Sequence, residues 1–509
     1  MKEREQMATA QPTIPVNAKR SLLTMQNLLL VLVFALGLAI RLYHATTPPL
    51  DFHATRQLRS AVIARSVYYQ LDRNADPALR QEAVNLAGLE IYEPPILETL
   101  VGVLYWVTGT EQLWLARLVN AFFWAIGGLA LYFIGRRFAG FWTVLTGLAF
   151  YFFLPFSVIA TRSFQPDPWM VMWVLLTAWA ALRWSETASW QWAILSGLAG
   201  GMTLLVKTFA GFYVGPILLA VAIQTLGLKR FLRSGQVWAM AGLSLLPTAL
   251  YLLLNGQRSS DFISFWVVSL SGLILTTNFY ADWLAMLKGL MSLGTALAAV
   301  LGVCIAPKPF RAVLFGGWIG YVLFGLVFPY QYTTHEYYHL MLVPLVALSV
   351  MPVLQAVFDL LKGQHLIWRL GAFGVVLFAS AYALWTARSV IYVQDYELEP
   401  ASWARVGADI PEGHSFIALT ADYGMRLRYY GWRSSGAAWP SSSDLNLFSL
   451  TGNDAVAVED YFVEATQGKD FFVVTALSEL EGQPALKEIL DGYPLYVEGN
   501  GYLIYDLRE

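Results

Sequence analysis

His335-Glu336-Tyr337-Tyr338-His339 has the His-Glu-x-x-His spacing. On a helix this puts two imidazoles one turn apart with a carboxylate beside them, an arrangement that holds zinc and activates water. Such a site needs a third ligand. None follows at the usual spacing, and Asp359 falls about 30 Å farther along a helix rising 1.5 Å per residue. A second set of residues suits different chemistry. Asp51, His53 and Arg56 lie close together, Glu93 precedes Pro94-Pro95, and Arg162, Gln165 and Asp167 lie within six residues. Lys207 ends an apolar run, and His335, Tyr337 and Tyr338 begin another. A carboxylate beside such groups suits proton removal next to a bound phosphate. Arg grips phosphate with a fork of donors, and Lys acts as a point charge.

Each stretch also has a plainer reading. Residues 51–57 suit a polar interfacial loop. Asp167 before Pro168 suits a helix N-terminus, where a carboxylate is favoured. Lys207 suits a snorkelling side chain. What sets the group apart is its sidedness once the spans are placed.

The chain has 509 residues, of which 57% are hydrophobic and 13% charged. Its mean hydropathy is +0.51. This excludes a soluble enzyme, a disordered chain and a disulfide scaffold. A net charge of −2 gives no broad basic face for nucleic acid. The single cysteine, Cys304, excludes an intrachain disulfide. The composition is that of a polytopic α-helical membrane protein.

Apolar runs predict about eleven spans, near 23–43, 113–135, 138–160, 168–184, 190–207, 209–227, 237–254, 283–304, 311–328, 337–358 and 367–388. The first is read as a retained span, since no small-residue cleavage pattern follows Leu28–Ile40. With the N-terminus in the cytoplasm, every inner connection is basic: Lys19/Arg20, Arg136/Arg137, Arg183, Lys229/Arg230/Arg233, Lys308/Arg311 and Lys362/Arg369. The candidate site residues then all fall at the outer boundary. That placement implies a cavity open to the outer side. The long outer loop 44–112 is expected to contain helices at 60–70 and 96–107 lying in the interface. Residues 1–388 form the membrane module, and the more polar 389–509 form a small extracytoplasmic α/β domain. Its strands are expected at 415–420 and 471–475, a helix at 484–490, and a hairpin at 493–497 and 502–506.

In order and in motif the chain resembles the GT-C membrane glycosyltransferases, nearest the protein O-mannosyltransferases and the aminoarabinose transferases of lipid A. The resemblance covers roughly residues 20–360. It rests on one span followed by a long loop with an early acidic residue, then Tyr92-Glu93-Pro94-Pro95, Ala116-Arg117-Leu118 opening the next span, and Gly135-Arg136-Arg137-Phe138-Ala139-Gly140 at the inner turn. Arg162 to Asp167 and His335-Glu336-Tyr337-Tyr338 complete it. The family often carries an Asp-Glu pair or Trp-Arg-Gln-Ala-Asp-Thr in the first loop, whereas Thr55-Arg56-Gln57-Leu58-Arg59-Ser60 stands here.

The resemblance implies a polyprenyl-phosphate-linked sugar as donor and a lipid, glycan or protein hydroxyl as acceptor. It implies Asp51 as base and Asp167 as a positioning or charge-stabilising carboxylate, with inversion at the anomeric carbon. Arg56, Lys207 and His335 are then candidates for the departing phosphate, with Arg162 behind them, and Tyr337 and Tyr338 for the sugar or lipid channel. No cofactor is required, and a divalent ion on His335 or His339 is left open. Two rival classes are a lipid-linked sugar flippase, for which repeated halves would be expected and none is evident, and an intramembrane metalloprotease built on residues 335–339. The implied location is a bacterial inner membrane.

Overall fold

The computed structural model describes residues 16–89, 93–255, 263–435, 438–451 and 457–508, with side chains from residue 24 onward and Asn255 excepted. Tyr92 and Arg258 lie outside the described residues, as do the side chains of Lys19 and Arg20.

Long apolar helices dominate. Among the described residues, seven are long and apolar enough to cross a bilayer, or nine if each of two bent pairs is one span. The protein is therefore an integral membrane protein, but these helices do not give the expected eleven. The expected span at 138–160 is two helices, Phe141–Phe153 and Pro155–Arg162, bent by 55°. Pro155 has no N–H to continue the ladder, which frees carbonyls in the preceding turn. Arg41 takes up one of them, donating to the Phe152 carbonyl at 2.9 Å while its Nε donates to Thr161 Oγ1 at 2.7 Å. The expected span at 283–304 is also broken. Ser292, at φ 71°, separates helices Thr277–Met291 and Leu293–Ile305. Two others, at 168–184 and 190–207, are the helices Asp167–Thr187 and Trp190–Val206. The first carries Asp167, Arg183 and Glu186, and the second has 17 residues, short for a span.

With lipid outside, hydrophobic burial cannot hold helices together, so close backbone approach must. A Cβ at Gly320 would lie 2.2 Å from the Phe212 carbonyl oxygen, and one at Gly302 would lie 1.7 Å from that of Ser349. Glycine is required at both contacts. Helix Leu366–Val393 shows the opposite case. Its apolar window is 6% buried, which marks it as lipid-facing.

The long loop 44–112 folds into three helices, Ala54–Leu71, Pro77–Leu86 and Ile96–Thr108. The middle one, opened by Asp76 capping Ala78 N at 2.8 Å, was not expected.

Near the C-terminus, β1 (Phe416–Leu419), β2 (Phe471–Val474), β3 (Leu495–Gly499) and β4 (Tyr502–Asp506) form a sheet in the order β1-β2-β4-β3. β1 and β2 are parallel, and the other pairs are antiparallel. Alternate residues serve opposite faces. Phe416, Phe471, Val473 and Ile504 pack with Trp403 and Val406, while Ile417, Leu419, Phe472 and Val474 pack with Trp439, Leu486 and Leu490. This portion rests on the first loop. Arg65 on helix Ala54–Leu71 pairs with Glu111 at 3.0 Å and stacks under Tyr429 and Trp432, 3.8 and 4.2 Å from the ring centroids. Arg428 donates to the Leu86 carbonyl at 2.9 Å.

Candidate active site

The candidate residues form two adjoining clusters. The first is built around Asp51. Its carboxylate lies 3.3 Å from Arg117 and 3.6 Å from Arg162, and Gln57 Nε2 donates to it at 3.1 Å. All of these side chains are buried. Arg117 also donates to the carbonyls of His44, Ala45 and Thr47 at 3.1, 2.7 and 2.8 Å. Arg162 donates to those of Tyr43 and His44, both at 2.9 Å. Asp51 thus supplies the negative charge that two loop-fastening arginines need. Gln57 joins this cluster to the turn at 163–166: its Nε2 donates to the Phe52 carbonyl at 2.8 Å and its Oε1 accepts from Phe164 N at 2.9 Å. Gln165, also buried, reaches the Phe52 carbonyl at 3.4 Å, and Asn120 donates to the Ser163 and Gln165 carbonyls.

The second cluster gathers residues from four distant stretches. The Lys207 ammonium pairs with Asp167, and Arg56 lies 3.5 Å from the other carboxylate oxygen. Arg56 sits 4.2 Å from the ring centroid of Tyr337, and Lys207 lies 5.5 and 5.3 Å from those of Tyr337 and Tyr338. A tyrosine face attracts a cation, so the rings and the carboxylate hold both charges in place. Local breaks expose these side chains. Lys207 is an extended residue between helix Trp190–Val206 and a short 3-10 turn, and Asp167 opens its helix beside Pro168. His53 lies beside this group. Its Nε2 is 3.2 Å from Glu336, its ring stacks on His335 at 5.8 Å and meets Tyr337 edge-on at 4.7 Å.

Glu93 is half-buried, and burial pushes its carboxyl above the usual range. Lys207 and Arg56 oppose that rise, and Asp167 and Glu98 add to it, so Glu93 shares the electrostatics of the second cluster. His335 is lowered to about 4, first by burial and then by His53 and Arg56. It is neutral at pH 7.

The structure overturns the metalloprotease reading of residues 335–339. His335 is extended, and Glu336–His339 is a 3-10 turn, so the two imidazoles do not share an α-helical face. His339 is buried, with Nε2 donating to the Tyr332 carbonyl at 2.9 Å. Its Nδ1 must therefore accept from Tyr321 OH at 2.7 Å. Both nitrogens are occupied, and no ring atom is left for a metal ion. Among the described residues no three His, Cys, Asp or Glu side chains cluster in a way that could hold one.

Residues 92–254 match the family model described as dolichyl-phosphate-mannose-protein mannosyltransferase. Solved structures match over nearly the whole chain. ArnT from Cupriavidus metallidurans bound to undecaprenyl phosphate superposes with a TM-score of 0.55 at 15% identity, covering 94% of this chain and 97% of its own. The chain has the GT-C fold. The same ArnT in the apo state gives 0.53 at 16% identity over 96% and 98%. The oligosaccharyltransferase AglB from Archaeoglobus fulgidus, in complex with an inhibitory peptide and a dolichol-phosphate, gives 0.52 at 12% over 89% and 69%. No curated protein matches the sequence.

Several participants were not foreseen as site residues. Gln57 lay in a noted stretch and Arg117 in a noted motif, but neither was given a role. Arg117 had a usable signal, a lone arginine near the N-terminal end of an apolar span. Asp422 had none. Thr55 Oγ1 donates to it at 3.3 Å across 367 residues of chain.

Proposed function

We propose that this protein is a membrane glycosyltransferase that moves a sugar from a polyprenyl-phosphate donor to an acceptor hydroxyl. The observation that carries the reading is the convergence of Arg56 and Lys207 on Asp167 beneath Tyr337. As the glycosidic bond breaks, negative charge grows on the departing phosphate. Two cations already fixed in place stabilise it without reorganising. Arg56 offers paired N–H donors and Lys207 a compact charge. Asp167 holds both before the donor arrives, and Tyr338 and His335 complete the lining.

The lipid phosphates bound to ArnT and AglB support this ligand class. One displacement inverts the anomeric carbon, and the transferred group is a hexosyl or pentosyl unit. Basic inner connections support a cytoplasmic N-terminus, with the site and residues 389–509 on the outer face. In this division residues 1–388 are the membrane module.

The test offers purified protein in nanodiscs a panel of radiolabelled undecaprenyl-phosphate sugars with membrane and peptide extracts. Label joined to an acceptor is the expected result. Donor crossing the bilayer with no new bond formed replaces the transferase with a transporter.

A further inference from the structure

Direct displacement leaves a proton to be taken from the acceptor, and the carboxylates of the site are poorly placed for it. Asp51 is engaged by Arg117, Arg162 and Gln57, and Asp167 by Lys207 and Arg56, with their side chains 4% and 3% exposed. His53 is more open, with its side chain 22% exposed. Its backbone is left-handed, at φ 49° and ψ 67°, an uncommon conformation for a residue with a Cβ. Such strain concentrates where a side chain is aimed for function. His53 stands at the N-cap position of helix Ala54–Leu71, yet its side chain makes no capping bond. The conformation instead directs the ring at residues 335–337.

There the Nε2 of His53 is buried and has no standard hydrogen bond, and its close polar contact is Glu336 Oε2 at 3.2 Å. A buried N–H needs an acceptor, and Glu336 is the one supplied. If Nε2 carries the proton toward Glu336, Nδ1 carries the lone pair. Nδ1 makes no hydrogen bond among the described residues. A carboxylate that fixes the tautomer of an imidazole and stabilises its cation is the logic of a hydrolase triad. Arg56, three residues on, is the phosphate-side cation, so a proton acceptor at His53 lies next to the departing group.

We propose that His53 is the general base of the sugar transfer and that Glu336 orients it. This rests on the transferase reading. The acceptor oxygen bonds to the anomeric carbon, and the bond from that carbon to the phosphate oxygen breaks. The electron pair leaves with polyprenyl phosphate, and the acceptor proton passes to Nδ1 of His53, which later gives it to solvent. An imidazole suits this step at neutral pH, because its ordinary pKa lies near 6.5 while that of a free carboxyl lies near 4. The titratable groups facing it are Glu336, His335 and Tyr337 from the late segment; Arg56 stands on the helix that His53 opens, and Thr55 of that helix reaches Asp422 of the C-terminal portion. His335, lowered to about 4, brings no competing positive charge.

The test uses full-length protein in nanodiscs, the undecaprenyl-phosphate-linked sugar that wild type accepts, and membrane extract as acceptor. His53→Asn tolerates the left-handed backbone and removes the base. It is expected to lower transfer about 100-fold, within the usual range for general base catalysis, with undecaprenyl phosphate affinity held within threefold. His53→Gly is expected to regain activity with added imidazole, a rescue that a structural role would not give. Glu336→Gln is expected to move the acidic limb of the pH–rate profile to lower pH, since the carboxylate no longer stabilises the imidazolium. Transfer undiminished in His53→Asn, or donor affinity lost in step with it, overturns the proposal and leaves the transferase standing. A wild type that binds no undecaprenyl phosphate and transfers nothing overturns both.

Discussion

The guanidinium of Arg56 lies 4.2 Å from the ring centroid of Tyr337, joining the long first loop to a turn nearly three hundred residues later. The contact does more than pack two elements. It orients a planar cation whose other neighbour is Asp167, 3.5 Å away. Lysine cannot replace it, because an ammonium neither stacks flat nor offers a fork. Arg56→Lys should keep the fold and weaken undecaprenyl phosphate binding about tenfold, a change of about 1.4 kcal/mol. Titration of the lipid phosphate against wild type and variant measures it. Unchanged affinity would remove Arg56 from the phosphate site.

Asp51 shows how a residue suited to catalysis by type can serve as structure by position. Its charge offsets Arg117 and Arg162, whose side chains are 2% and 0% exposed. Removing one partner of a buried charge cluster typically costs about 3–5 kcal/mol, because the remaining charges are left uncompensated. Asp51→Asn should therefore lower thermal stability strongly. A variant that keeps wild-type stability while losing transfer would return Asp51 to the role of base that the family resemblance implies.

Much of this architecture was legible in the chain. Apolar runs mark the helices, and the C-terminal strands fall where β-branched and aromatic residues alternate with turns. Two expected spans failed for local reasons. Pro155 breaks one by removing a donor, and Ser292 breaks another by adopting φ 71°. Neither break changes average hydropathy, so a window that reads apolarity passes over both. Within the site, sidedness grouped the candidate residues but could not pair them. Which cation meets Asp51 and which meets Asp167 depends on how separate helices pack. The His53–Glu336 contact joins positions 283 residues apart in the chain, a relation that no local spacing encodes.

His339 and His335 are four residues apart and should behave very differently. His339 satisfies Tyr321 OH and the Tyr332 carbonyl inside the helical core. His339→Ala takes away the acceptor of the Tyr321 hydroxyl proton and the donor to the Tyr332 carbonyl and opens a cavity, which should cost about 2–5 kcal/mol. His335→Ala, at a partly exposed position beside the site, should alter stability much less and act on donor affinity. Thermal unfolding of the two variants, with and without a zinc chelator, makes the comparison. Equal losses for both, reproduced by the chelator, would restore a shared metal site.

Glu93 links stability to pH in a direction opposite to most carboxylates. Burial raises its carboxyl above the ordinary 4.5 in the folded protein. The unfolded chain therefore loses this proton at lower pH than the folded one. Folding stability contributed at this position is full below the unfolded value and falls as pH rises through the raised folded value. Above that value the ionised side chain is a net burden, even with Lys207 and Arg56 near it. Glu93→Gln removes the charge and keeps the shape. It should raise the thermal midpoint at pH 7 and leave it nearly unchanged near pH 4. A midpoint that falls at pH 7 would mean that Lys207 and Arg56 outweigh burial, and that Glu93 is held as an ion pair with them.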